Sequence, residues 1–212
     1  MQWSVASATH IGKRSEQQDR ALVGDDFYAV FDGMGGHRNG ALAAETARDT
    51  MKERIAAGDT ALDAANAANE AVLDLDPYSR KMSSQGCPGT TLAGICPAQN
   101  TVIWCGDSHV YRLRDGDLTR LTEPHGVGRW ISKCLGMPGK NRSEGLSLDP
   151  LPGDTYLICS DGLDHLPIDE VCDILCLLAI ADVQDVTDAL ISAAAEHENC
   201  SDNITVVVAI CT

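Results

Sequence analysis

Tyr28-Ala-Val-Phe-Asp32-Gly-Met-Gly-Gly-His37 is an apolar run that ends on an aspartate and a glycine-rich turn. Such a run reads as a buried strand. The glycines let a ligand approach the backbone closely and free the carbonyl to turn outward. The same arrangement recurs in Val102-Ile-Trp-Cys-Gly-Asp107-Ser and Leu157-Ile-Cys-Ser-Asp161-Gly-Leu. Asp202, in Asn199-Cys-Ser-Asp202-Asn, comes instead just before an apolar run, Ile204 to Ile210. Carboxylates gathered at one edge of a sheet repel each other, and hard divalent cations held by oxygen ligands are the usual remedy. The pattern therefore points to metal-dependent chemistry with Mn²⁺ or Mg²⁺.

Around these runs the chain alternates blocks of strands with pairs of helices. Strands are expected at 2–8, 20–24 and 27–32. Ala44, Ala47, Met51 and Ile55 step by three or four from Asn39 and mark one helix face; Ala65, Ala68, Val72 and Leu75 mark a second, capped by Asp59 or Thr60 and bounded by Pro77. Residues 78–89 read as loop. Short strands follow at 90–96, 101–106 and 109–114, with a tight Asp115-Gly116 turn into 117–121. Residues 122–154 hold four Pro and six Gly and read mostly as loop, with one amphiphilic piece at 129–135. A strand at 155–159, helices around Val171–Leu178 and Val186–Ala193, and a strand covered on both faces at 205–210 complete the order. This is an α+β pattern: two packed antiparallel β-sheets flanked by α-helices, in one domain spanning 1–212.

Composition narrows the function. A formal net charge of −15 disfavours nucleic acid as a partner. The nine cysteines are odd in number and lack CxxC spacing, so neither a disulfide framework nor a zinc site is expected. Cys96, Cys105, Cys159 and Cys211 read as small buried hydrophobes, and Cys172 and Cys176, one helical turn apart, also read as core. The start of the chain lacks the pattern of a signal peptide, and no apolar run approaches a membrane span. A reducing cytoplasm and a monomer are the expectations. Three rival motifs fail. The dinucleotide loop needs Gly at 38, where Arg38 stands, and no Gly-Lys-Ser/Thr ending marks a P-loop. Asp115-Gly-Asp117-Leu-Thr119 matches D-x-D-x-T, but the polar and apolar alternation on either side marks a hairpin turn. The six histidines show no metal-ligand spacing, and each reads as structural or exposed.

Taken in order, Arg14-x-x-x-Gln18-Asp19, Asp32-Gly-Met-Gly-Gly-His37, Gly89-Thr-Thr91, Gly106-Asp-Ser108, Leu121-Thr-x-x-His125, Ser160-Asp-Gly-Leu163 and Asp202-Asn-Ile-Thr205 resemble the bacterial metal-dependent protein phosphatases of type 2C. The resemblance runs over about residues 4–210. It implies a serine/threonine phosphatase in which Asp32, the Gly33 carbonyl, Asp161 and Asp202 hold two Mn²⁺ or Mg²⁺ ions, with Asp32 bridging. Asp19 would act through water at the metals. Asp107 with Asp161 would hold a weaker third ion, and Arg14 would bind the substrate phosphate. The implied partners are phosphorylated proteins, a serine/threonine kinase and its substrates. The chain departs from the pattern in three places. Gln18 stands where many members have Glu, as it does in some bacterial members. Met34 replaces the proposed general-acid histidine of the eukaryotic relatives, so the proton donor is water at the metals first and His37 second. The flap near 126–134 is short, which leaves substrate selection open. Two alternatives remain: a pseudophosphatase that binds phosphoproteins without turnover, and a phosphatase for small phosphoesters.

Overall fold

In the computed structural model, which describes residues 1–34, 39–76, 87–127, 130–139 and 143–212, the apolar runs form strands and the three- and four-residue steps form helices. β1 (Trp3–His10), β2 (Arg20–Val23), β3 (Tyr28–Phe31) and β4 (Gly33–Met34) lead into α1 (Asn39–Ala56) and α2 (Ala61–Leu73). Next come β5 (Gly89–Thr90), β6 (Leu92–Cys96), β7 (Thr101–Cys105), β8 (His109–Arg114), β9 (Asp117–Arg120), β10 (Gly126–Val127), β11 (Trp130–Ile131) and β12 (Glu144–Ser147). The order closes with β13 (Thr155–Cys159), α3 (Ile168–Cys176), α4 (Val183–Glu196) and β14 (Ile204–Cys211). Thr60 rather than Asp59 caps α2, its hydroxyl accepting from the Asp63 N–H, and Asp182 caps α4 in the same way.

Two five-stranded antiparallel sheets carry the fold, in the orders β1-β14-β13-β8-β9 and β12-β7-β6-β3-β2. Successive strand side chains point to opposite faces, and here that alternation sorts the core into three layers. Ala29 and Phe31 of β3 face Ala43, Ala44, Ala47, Ala64 and Ala68 of α1 and α2, while Tyr28 and Val30 face the other sheet. Leu157 and Cys159 of β13, with Val206 and Val208 of β14, pack on Leu175 and Leu190 of α3 and α4. Tyr156, Ile158, Val207 and Ala209 fill the space between the sheets. A helix–sheet–sheet–helix sandwich results, as expected. Alanine on the inner faces of α1 and α2 lets those helices lie close to each other and to their sheet.

The Asp115-Gly116 hairpin forms as read, with both residues at positive φ (53° and 81°) and Arg114 paired with Asp117. Two expectations need correction. Among the described residues, 122–154 is mostly loop, as expected, but it also holds three short strands that were not expected: β12 pairs along β7 and adds an edge strand, and β10 and β11 form a small hairpin. All four residues of β12 are exposed, so it lacks the apolar alternation by which a strand is found. Cys172 and Cys176 are not core: Cys172 is half-buried and Cys176 exposed, whereas Cys96, Cys105, Cys159 and Cys211 are buried as expected. Pro77 and most of the 78–89 loop lie outside the described residues. No helix among the described residues is long and apolar enough to cross a membrane.

Leu157 is fully buried between β13 and the α3/α4 layer. Leu157→Ala should therefore lower the unfolding free energy by about 2–5 kcal/mol, read from urea denaturation with an unchanged slope. A loss under about 1 kcal/mol would contradict this packing.

Candidate active site

Antiparallel pairing brings the aspartates to one end of the sandwich. β3 ends beside the start of β2, with Phe31 opposite Arg20, so Asp32 and Asp19 flank one paired position. β13 ends beside the start of β14, with Cys159 opposite Val206, which places Asp161 and Asp202 together. β1 ends opposite Ile204 and delivers the loop carrying Arg14 to the same edge. β7 ends opposite Leu92, and the turn Gly106-Asp107-Ser108 follows.

Arg14, Gln18, Asp32, Gly33, Asp161 and Asp202 line a cavity of about 390 Å³, with Glu16, Met34, Ile131 and Asn203 among its other walls. Asp19 and Asp107 do not line it; Asp19 lies almost fully buried behind the wall and Asp107 is partly buried. A cleft of about 430 Å³ between Leu22–Phe27 and Lys52–Ala56 is slightly larger, but the convergent carboxylates belong to the first cavity. His37, Gly35 and Gly36 lie outside the described residues, and no described histidine lines the cavity.

A second set of side chains fixes this arrangement. The Asp32 N–H donates to Thr91 Oγ1 at 3.0 Å, and the Asp32 carbonyl accepts from the Thr91 N–H and the Thr90 hydroxyl. Thr91 Oγ1 also lies 2.6 Å from Ser108 Oγ, which joins the Asp32 turn to the Asp107 turn. The Ser160 hydroxyl donates to Asp19 Oδ2 at 2.8 Å and accepts from the Thr205 N–H. Asn203 donates through Nδ2 to the Ile11 and Glu16 carbonyls and accepts from the Gln18 N–H, so it holds the Arg14 loop against Asp202. Gly33 and Gly162 have no room for a side chain: a Cβ would lie 2.2 Å from the Gly40 carbonyl oxygen in one case and 1.9 Å from that of Asn203 in the other. Thr91, Ser160 and Asn203 fall within the sequence motifs, but their roles as positioning groups were not legible there, because each depends on a partner from a distant strand.

The electrostatics of the cavity are those of crowded anions. Burial, and after it the charges of Asp19 and Asp161, push Asp32 well above the ordinary carboxylate value. Asp161 is pushed up to about 7 by burial and then by Asp107 and Asp202. Burial also raises Asp19, with the Ser160 hydrogen bond opposing it, and raises Asp107. Asp19 Oδ1, Asp107 Oδ1 and Asp161 Oδ1 are buried and accept no hydrogen bond, an unfavourable state that a cation would relieve. The donor set is all oxygen, which suits hard cations. Among the described residues no three acidic, histidine or cysteine side chains form a ready metal-binding group; Asp32, Asp161 and Asp202 instead line a common cavity. Arg14, half-exposed at the cavity mouth, forms an ion pair with Asp202. The Gln18 amide nitrogen donates to Glu16 Oε2 at 3.2 Å.

The sequence model of the family described as protein phosphatase 2C matches residues 4–129. The serine/threonine protein phosphatase PstP of Mycobacterium tuberculosis is 30% identical over 226 residues, an alignment covering 92% of this chain and 42% of that protein. The chain therefore spans less than half the length of that curated relative. Among solved structures, the PPM Ser-Thr phosphatase MsPP of Mycobacterium smegmatis, in complex with cacodylate, superposes with a TM-score of 0.85 at 30% identity, covering 99% of this chain and 98% of that one. The catalytic domain of PstP in complex with two manganese ions gives a TM-score of 0.80 at 28% identity, covering 98% and 97%. With the motifs, the sandwich and the carboxylate-lined cavity all in agreement, the chain belongs to the protein phosphatase 2C family.

Proposed function

We propose that the chain is a metal-dependent protein serine/threonine phosphatase that hydrolyses phosphoserine and phosphothreonine in phosphorylated proteins. One observation carries this reading: Asp32, Asp161 and Asp202 meet at a single cavity, backed by buried Asp19, with unpartnered carboxylate oxygens and a guanidinium at the mouth. That constellation suits phosphoryl transfer to water. The solved PstP catalytic domain, with its two manganese ions, supports the choice of cation.

Asp32, the Gly33 carbonyl, Asp161 and Asp202 are the residues that would hold two Mn²⁺ or Mg²⁺ ions, and Asp107 with Asp161 would hold a weaker third. Bound in this way, the ions supply a water of lowered pKa as nucleophile and neutralise charge on the phosphoryl group. The protein's own groups do the rest. Asp19, held by Ser160, would act through water at the ions. Arg14 presents a planar fork to the non-bridging phosphate oxygens. Ile131 and Met34 form the apolar part of the wall. The leaving alkoxide would take its proton from water at the ions first, and second from His37, which lies outside the described residues. Gln18 supplies a neutral amide where a carboxylate would bind a cation more strongly, so one site would bind its ion more weakly and need more metal to fill, without being lost. A serine/threonine kinase and its substrates are the natural partners, and the enzyme works as a monomer in the cytoplasm.

Hydrolysis of p-nitrophenyl phosphate and of a phosphothreonine peptide should require added Mn²⁺ or Mg²⁺ and cease in excess chelator. Asp161→Asn should abolish it, and a variant within about threefold of wild-type turnover would refute the ligand assignment. A protein inactive toward every phosphoester at saturating Mn²⁺ but switched on by Gln18→Glu would instead be a phosphoprotein-binding module.

Arg14→Ala should raise KM by about tenfold, the equivalent of ~1.4 kcal/mol for a charged hydrogen bond, and Arg14→Lys should recover only part of this. Equal KM in all three proteins, measured on the phosphothreonine peptide, would show that Arg14 serves only Asp202.

In chelator, the raised carboxylates make stability depend on pH. Between the ordinary value of 3.8 and about 7 the folded protein holds a proton on Asp161 that the unfolded chain has lost. Stability therefore falls as pH rises through that window. The metal-free melting temperature should be higher at pH 6 than at pH 8. Asp161→Asn should raise it at pH 8 by about 2 °C or more and flatten the slope. A flat wild-type profile would contradict the crowding of charge.

A further inference from the structure

Asp107 is a residue whose position nothing in its own motif explains, since its turn needs a partner for a cramped backbone. Gly106 sits at φ +110°, and a Cβ there would lie 2.7 Å from Thr91 Cγ2. Ser108, on the far side of the turn, is held by Thr91 at 2.6 Å. The near side is held by His125. The Gly106 N–H donates to His125 Nδ1 at 3.1 Å, and the His125 N–H donates back to the Gly106 carbonyl at 2.8 Å. His125 is 8% exposed and its ring stacks on Trp104 with centroids 6.2 Å apart.

Because Nδ1 accepts, the ring proton must sit on Nε2. Nε2 lies 2.9 Å from Glu144 Oε1, to which it donates. Glu144 belongs to edge strand β12 and also pairs with Lys133, just past β11. The His125 carbonyl accepts from the Ser132 N–H at 2.9 Å, at the return of the β10–β11 hairpin. One residue thus ties the Asp107 turn, the short hairpin whose Ile131 lines the cavity, and the sheet edge.

We infer that His125 is a positioning residue for the weaker cation site: through its Nδ1 bond to the Gly106 N–H it aims Asp107 toward Asp161, and Glu144 locks the imidazole in the tautomer that can do so. This rests on the proposed role of Asp107 as a ligand. His125 touches neither substrate nor cation. Its effect belongs to the class in which removing the group behind a ligand weakens metal binding by about tenfold or more. Asp32 and Asp202 have their own supports in Thr91 and Asn203, so the effect is confined to the site that uses Asp107.

The test compares three variants in direct Mn²⁺ titrations, with free Mn²⁺ followed by electron paramagnetic resonance, alongside the melting temperature. His125→Asn retains an acceptor near the Nδ1 position. His125→Gln places its amide near Nε2, and His125→Phe removes both. Wild-type protein should show tight binding and a weaker phase. In the Phe and Gln variants the weaker phase should shift by about tenfold with the tight phase unmoved, and the Asn variant should restore most of it. If the Phe variant does not fold, the contrast between Asn and Gln decides. An unchanged weak phase in the Gln variant, or a loss in tight and weak phases that simply tracks the melting temperature, would overturn the inference. A wild-type titration with no weaker phase would overturn it too, but by removing Asp107 as a ligand. That result is distinct from a failure of the phosphatase reading, which shows instead as absent hydrolysis of p-nitrophenyl phosphate at saturating Mn²⁺.

Discussion

Repulsion among buried carboxylates is the constraint around which this molecule is arranged. Asp19, Asp32, Asp107 and Asp161 are all raised by burial, and their mutual charges add to the effect on Asp32 and Asp161. Left to local preference, such groups would move apart into water. They are held together because each hangs from the end of a strand that cannot move without breaking a sheet. The energy of the sandwich is thus spent partly on keeping an unfavourable cluster ready for cations. The opposing contributions are small and specific: the Ser160 hydroxyl on Asp19, the Thr91 bonds to the Asp32 backbone, and the Arg14 ion pair with Asp202.

The sandwich can bear this load because its three apolar layers are continuous. Val206, Val207, Val208 and Ala209 show how one strand serves two layers at once, alternate residues packing on α3 and α4 or on the opposite sheet. The same strand begins two residues after Asp202. A shift in its register by one residue would turn the apolar set inside out and move the carboxylate as well. Packing and site geometry are therefore set by the same pairing, which explains why rigidity at this edge does not need disulfides among the nine free cysteines.

The region after β9 works differently. β11 and β12 contribute little buried apolar surface, and β12 is exposed throughout. They are organised by polar contacts that converge on His125: the Gly106 turn, the Ser132 N–H, Glu144 and, beyond it, Lys133. In the core, hydrophobic periodicity dictates structure. Here hydrogen-bond partners from four separate segments do so, with consequences for how the cavity wall near Ile131 is held.

The amino-acid sequence by itself determined the parts governed by local rules. Its apolar runs and their ends located β3, β7, β13 and β14 and the aspartates beside them; the three- and four-residue steps located the four helices; Asp115-Gly116 specified its hairpin. Periodicity and turn chemistry act over a few residues, so they can be read from a few residues. The family pattern then named Arg14, Asp19, Asp32, Gly33, Asp107, Asp161 and Asp202 as a set. Only the tertiary structure decided which of these face the cavity and which stand behind it, that Cys172 and Cys176 lie outside the core, that an exposed segment pairs as β12, and that Thr91, Ser160, Asn203 and His125 fix the turns. Those outcomes depend on hydrogen bonds and burial between residues separated by up to 192 positions, as between Asn203 and Ile11. No local pattern encodes such contacts, because the partner of each polar group is chosen by the pairing of whole strands.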